Sequence, residues 1–151
     1  MGSEPREVEK VRERFGDALR EVIYFRGEET LVVDPARIVE IGRFLKEDPE
    51  TDFDMLLDIT GIHFLEREYA YEVAYLLLSL KSRRRLRLRV RLGEEGEIDT
   101  VVSVWGTADW HEREAFDLVG IRFRGHPDLR RSTMPEDYVG HPLRKDFPLE
   151  Q

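Results

Sequence analysis

The densest set of groups able to ligate a metal or move a proton is the run HEREAFD, residues 111–117. If the run is helical, His111 and Glu114 stand one turn apart and could offer one nitrogen and one oxygen to a divalent ion. Spacing alone reveals no third donor. The same residues also have a purely structural reading. Arg113 and Asp117 are placed for an i, i+4 ion pair, and Glu112 and Glu114 sit near the start of the helix, where its dipole favours negative charge. That account uses every charged residue of the run, whereas the metal account uses two.

Two further histidines, His126 and His141, each lie within a Gly-His-Pro unit, which fixes the local backbone and leaves the imidazole to project from a turn. Histidine can carry a proton near neutral pH, so an acid–base role is open. No acid or nucleophile at a recognisable spacing accompanies either ring. The structural expectation is that both make hydrogen bonds that pin the C-terminal tail. No serine elbow, phosphate-cradling glycine loop or dinucleotide fingerprint occurs in the chain.

Charge is unevenly distributed. The 151 residues carry a formal charge of -8, and 37% of them are charged. Yet KSRRRLRLRVRL, residues 81–92, holds seven positive side chains and no negative one. Those arginines are either a solvated row, partly matched by Glu66, Glu68 and Glu72, or a docking surface for an acidic partner or RNA. No aromatic residues are interleaved among them as stacking platforms, and the acidic balance disfavours general nucleic-acid binding. The absence of cysteine excludes disulfides, thiol catalysis and any iron–sulfur cluster held by this chain's own thiolates. No apolar run is long enough to span a membrane, and the charged start MGSEPREVEKVRER is unlike a secretory signal, so the expected setting is cytoplasmic.

The elements that would position these groups are legible from periodicity. Val8, Val11, Phe15 and Leu19 make one apolar stripe, predicting a helix over residues 5–20. EVIYFRGEETLVVD predicts a hairpin turning at residues 26–29. Asp34-Pro35 is a helix start, with the helix running over 35–47. Strands are expected over MLLDITGIHFL, over residues 69–80 and over 85–92, as an antiparallel meander. Asp109 stands three residues before Glu112, the arrangement of a capping box, so a third helix is expected over 110–119, closed by Gly120. The similarity of DITGIHF (58–64) to DLVGIRF (117–123) reads as coincidence, the first lying in a strand and the second ending a helix. The fold class is therefore α+β, a mixed and mainly antiparallel sheet covered by helices. One domain is expected over 1–123, followed by an extended tail over 124–151.

That tail is too rich in proline to fold on itself, yet it spaces Phe123, Leu129, Met134, Tyr138, Val139, Leu143, Phe147 and Leu149 along its length. Such a segment needs another surface to cover its apolar side chains, with Arg130, Arg131, Arg144 and Lys145 supplying register through charged hydrogen bonds.

WGTADWHEREAFDLVGIRFRGHPDLRR followed by GHPLRKDFPL resembles the signature of the 30-kDa subunit family of respiratory NADH-quinone oxidoreductase, complex I. Tyr71-Glu72-Val73, Tyr75, Ser79 and the Arg/Leu strand are similar to that family's central sheet, so the resemblance extends over roughly residues 20–151. Ser132-Thr133 departs from it, standing where the family usually has apolar residues. The resemblance implies a cofactor-free subunit of the hydrophilic arm, peripheral on the cytoplasmic face of the bacterial membrane. It implies that flavin mononucleotide (FMN), iron–sulfur clusters and quinone are held by other subunits. It also implies that the C-terminal signature packs on the neighbouring large subunit that helps form the quinone pocket. Arg113, Glu114 and Asp117, together with His126, Pro127, Leu129, Arg131, His141, Pro142, Leu143, Arg144, Lys145, Asp146 and Phe147, would then face that partner. The same module occurs in membrane-bound hydrogenases and the plastid-type dehydrogenase. A reading of another class is a free-standing RNA- or protein-binding module that uses the arginine strand.

Overall fold

Alternation of arginine with leucine or valine lets only one face of residues Arg84–Leu92 enter a core. Leu86, Leu88, Val90 and Leu92 are all buried, and full burial of each such side chain contributes about 1.5–3 kcal/mol. The computed structural model describes residues 4–129 and 140–145. In chain order the elements are α1 (Arg6–Phe15), β1 (Leu19–Phe25), β2 (Glu28–Val33), α2 (Ile38–Glu47), β3 (Met55–His63), β4 (Tyr71–Ser79), β5 (Arg84–Leu92), β6 (Glu97–Asp99), α3 (Ala108–Val119) and β7 (Arg122–Arg124).

Five strands form one sheet in the order β1-β2-β5-β4-β3, so β5 is central and β3 lies at an edge. The meander β3-β4-β5 is antiparallel throughout. β2 joins it parallel to β5, with Leu31 beside Leu88, which makes the sheet mixed as the sequence leads one to expect. The helices bring their apolar stripes to the leucine face: Val8, Val11 and Phe15 of α1 and Ile38, Ile41 and Leu45 of α2 belong to the same buried cluster as the β5 leucines. No helix among the described residues is long and apolar enough to cross a membrane.

Several expected boundaries move, each for a local reason. α1 ends at Phe15 rather than continuing to residue 20, because Gly16 adopts a positive φ of 52° and a short 3-10 turn leads directly into β1. The hairpin turns on Arg26 and Gly27 alone, both left-handed at 52° and 80°, the tight two-residue geometry whose twist matches paired strands. Glu28 and Glu29 consequently pair within β2. Asp34 does cap, its carboxylate accepting from the Ala36 amide at 3.0 Å, but over a 3-10 turn at Pro35–Arg37 that precedes α2.

α3 packs along β3, and the contact is close enough to demand glycine. A Cβ at Gly61 would lie 2.5 Å from Ile121 Cδ1. The two similar segments DITGIHF and DLVGIRF thus meet in space, Gly61 from one against Ile121 from the other. A further pairing was not legible in the sequence: β6 and β7 form a parallel two-stranded ribbon with Ile98 opposite Phe123. Phe123 is consequently buried in this chain's own core, not held out as an anchor for a partner.

Candidate functional site

The site is built around α3. The expected capping box is not formed: Thr107 occupies the N-cap position without a side-chain cap bond, and its hydroxyl donates instead to the Leu56 carbonyl at 3.2 Å. Glu112 is likewise not a surface acid answering the helix dipole. It is fully buried, accepting from the Thr100 hydroxyl and, at 2.8 Å, from the Val101 amide. Burial pushes its carboxyl up to about 7, against the lowering effect of those two bonds. Glu112 anchors α3 to the loop after β6. The Tyr75 hydroxyl, also buried, is driven well above its ordinary value by burial and then by Glu112.

Arg113 does not pair with Asp117. Its Nε lies 3.5 Å from Asp109 Oδ1, one turn earlier, and its guanidinium stacks 5.5 Å from the Trp110 ring. Asp117 is turned inward and fully buried, so the face of α3 that carries Arg113 continues N-terminally to Asp109. Glu114 and His111 look toward β3, where His111 Nδ1 lies 3.6 Å from Asp58 Oδ1.

Both Gly-His-Pro histidines grip this helix. The His126 side chain is wholly buried. Its Nδ1 accepts from the Asp128 amide at 2.9 Å, so Nε2 carries the proton and donates to the Asp109 carbonyl at 3.0 Å, with Asp109 Oδ1 at 3.2 Å. His141 Nδ1 donates to the Asp117 carbonyl at 2.9 Å, and its ring stands edge-on to Phe116 at 5.3 Å. The two units therefore clamp α3 at points about two turns apart. Gly120 serves this twice: its φ of 91° closes the helix, and a Cβ there would come within 3.0 Å of the His141 ring.

Residues 140–145 continue as a strap across the end of α3. Leu143 donates its amide to the Leu118 carbonyl at 2.6 Å, and Arg144 donates to the His141 carbonyl at 3.1 Å. The Lys145 amide donates to His63 Nδ1 at 3.1 Å, and the Arg144 guanidinium lies 5.8 Å over the Tyr71 ring. Leu143 is left 56% exposed. Pro127 is exposed, Pro142 half-buried, and Leu129 rests partly buried on the core. Arg131, Asp146 and Phe147 fall outside the described residues, as do Arg130, Ser132, Thr133, Met134, Tyr138, Val139 and Leu149. Sequence reasoning missed His63, Asp109 and Tyr71 as the strap's counterparts. A buried histidine in an apolar strand such as β3 was the available signal, since it must find a partner.

The arginine row is already matched. Arg87 pairs with Glu28 at 3.3 Å, Arg89 with Glu72 at 3.1 Å, and Arg91 with Glu21 and Glu72 at 3.6 Å each. Of the three glutamates expected opposite this row, Glu72 is there, and the β1–β2 hairpin supplies the others. Arg84 lies between two buried carboxylates, reaching Glu7 at 2.7 Å and Glu29 at 3.0 Å. Burial, and then Glu7, raise Glu29 to about 8.

Residues 31–151 match the family described as respiratory-chain NADH dehydrogenase, 30 Kd subunit. The chain is 49% identical over 139 residues to the second NADH-quinone oxidoreductase C subunit of Rhizobium etli (strain CIAT 652), covering 92% of this chain and 74% of that protein. It is 46% identical over 151 residues to the NADH-quinone oxidoreductase C subunit of Geotalea uraniireducens (strain Rf4), covering 99% and 91%. Among solved structures it is similar to Nqo5, in the trypsin-resistant fragment (1-134), with a TM-score of 0.68 and 31% identity over 82% of this chain and 99% of that one.

Proposed function

Because the chain belongs to the family of the 30-kDa subunit of respiratory-chain NADH dehydrogenase, we propose that it is a peripheral, non-catalytic subunit of an NADH-quinone oxidoreductase. It docks on the neighbouring quinone-site subunit through the C-terminal strap. In this reading flavin, iron–sulfur clusters and quinone belong to partner subunits. The chain supports electron transfer from NADH to quinone by holding the hydrophilic arm together on the cytoplasmic face of the membrane, and it reaches the membrane only through the complex.

The observation that carries the reading is the strap itself. Its backbone is fastened to α3 and His63, while Leu143 is left 56% exposed, as are Leu65 at 63% and Ile62 at 40%. Ile62 lies in the edge strand β3 and Leu65 just past its end. Together they give an apolar fringe next to open backbone groups, the combination that suits a protein partner. The histidines are turned toward α3, so their part in docking is to hold the strap in place, with Leu143 among the side chains meeting the partner.

The test is affinity purification from native membranes of three forms: the full chain, a form ending at Arg124, and full-length Leu143→Asp. Mass spectrometry identifies the co-purifying subunits. The full chain is expected to bring down the flavin, iron–sulfur and quinone-site subunits. The truncation should lose them, and Leu143→Asp should lose them while keeping the parent's circular dichroism and melting temperature. Equal recovery with all three forms overturns the docking role of the strap.

A further inference from the structure

His111 presents a nitrogen that the surrounding chain leaves unsatisfied. Its Nδ1 is shut off from solvent and has no hydrogen-bond partner among the described residues. The nearest Asp58 oxygen, at 3.6 Å, is too distant for a hydrogen bond. Buried polar atoms are nearly always paired, so an orphan of this kind calls for an ion or a water.

The surroundings supply the remaining donors from two elements. Glu114 follows His111 by one turn of α3, and Asp58 comes from β3, where the register shifts between Leu56 and Asp58. Such a bulge re-aims the side chain at its head. Asp58 is also held in place: Oδ1 accepts from the Ile59 amide at 2.9 Å, and Oδ2 accepts from the Thr60 hydroxyl at 3.2 Å. One donor atom from each of the three residues lies within 4.8 Å of the others.

We propose that Asp58, His111 and Glu114 form a divalent-metal site of the one-imidazole, two-carboxylate type, suited to Zn²⁺, that staples α3 to the edge strand β3. Two ligands about 2.0–2.1 Å from a tetrahedral ion stand about 3.4 Å apart, close to the 3.6 Å between His111 Nδ1 and Asp58 Oδ1. Glu114, with its flexible side chain, closes the wider separations by a change of rotamer. Two carboxylates balance the charge of the ion, and the neighbouring cation Arg113 is turned away to Asp109 and Trp110. A cleft of about 110 Å³, lined by Asp58, Glu114, Leu118 and Leu143 among others, leaves room for water at the fourth position. The site stands independently of the assembly role, since it concerns only this chain's own folding.

The experiment is isothermal titration of the metal-free full-length chain with ZnCl₂, repeated with CoCl₂ to read the visible bands of tetrahedral cobalt. The parent is expected to bind one equivalent. His111→Gln and Glu114→Gln should each weaken binding by at least about tenfold, and Zn²⁺ should raise the melting temperature of the parent only. His126→Gln, which changes a ring outside the cluster, should bind as the parent does. Should His111→Gln fail to fold, Glu114→Gln alone decides, since that residue is only half-buried. Absence of saturable binding, or binding undiminished in the cluster variants, overturns the site.

Discussion

Glu112 is the residue whose chemistry most constrains this chain. Its folded carboxyl titrates at about 7 against an ordinary 4.5, so between those values the folded protein keeps a proton that the unfolded chain releases. The stability tied to that proton is complete below about pH 4.5 and is lost as the pH rises through 7, an effect of about 3 kcal/mol. Glu29, raised to about 8 by burial and then by Glu7, acts with the same sign over a slightly higher range. Glu112→Gln keeps the size of the side chain and can still bond Thr100 and Val101, but it cannot ionise. Denaturant unfolding measured from pH 5 to pH 8 should therefore show the parent's decline in stability shrink by about 2–3 kcal/mol in the variant. An unchanged slope would assign the pH dependence to other groups. The sequence singled out HEREAFD correctly and misassigned several of its members. Which of Glu112, Arg113 and Asp117 faces the core depends on how α3 is rotated against β3. With only Ala115 and Phe116 apolar in that run, periodicity has too little contrast to read the rotation.

At the scale of elements, α3 is fastened by three devices: Glu112 below, the two histidines at its ends, and the Gly61–Ile121 contact at β3. The last of these is the least forgiving. Gly61→Ala places a methyl 2.5 Å from Ile121 Cδ1, and relieving that overlap should cost about 1–3 kcal/mol. Thermal melts should accordingly show the midpoint fall by several degrees; an unchanged midpoint would mean that α3 can slide along the sheet at no cost. β5, the β1–β2 hairpin and the buried stripes of α1 and α2 were legible because each is written in local periodicity or turn chemistry. The β6–β7 ribbon was not, for its strands are three residues each and lie far apart in the sequence. Strands that short carry no alternation to read, and parallel pairing leaves no hairpin signal.

At the scale of the whole molecule, the arginine strand is a matched surface on an acidic protein. With Arg87, Arg89 and Arg91 each facing glutamate and a formal charge of -8, the full chain should show no RNA binding at moderate salt by fluorescence anisotropy. Salt-sensitive binding abolished by Arg87→Glu with Arg89→Glu would instead revive the reading of a free-standing module. The sequence by itself determined the α+β class, the central Arg/Leu strand, the absence of thiol chemistry and the family, because composition, period-two alternation and the Gly-His-Pro signature are local properties of the chain. Only the tertiary structure decided that both histidines hold α3, that Glu112 is buried, that Arg113 turns to Asp109, and that Asp58 comes up beside His111 and Glu114. Those outcomes depend on the rotation of one helix against an edge strand and on contacts between residues far apart in the chain, which no local pattern records.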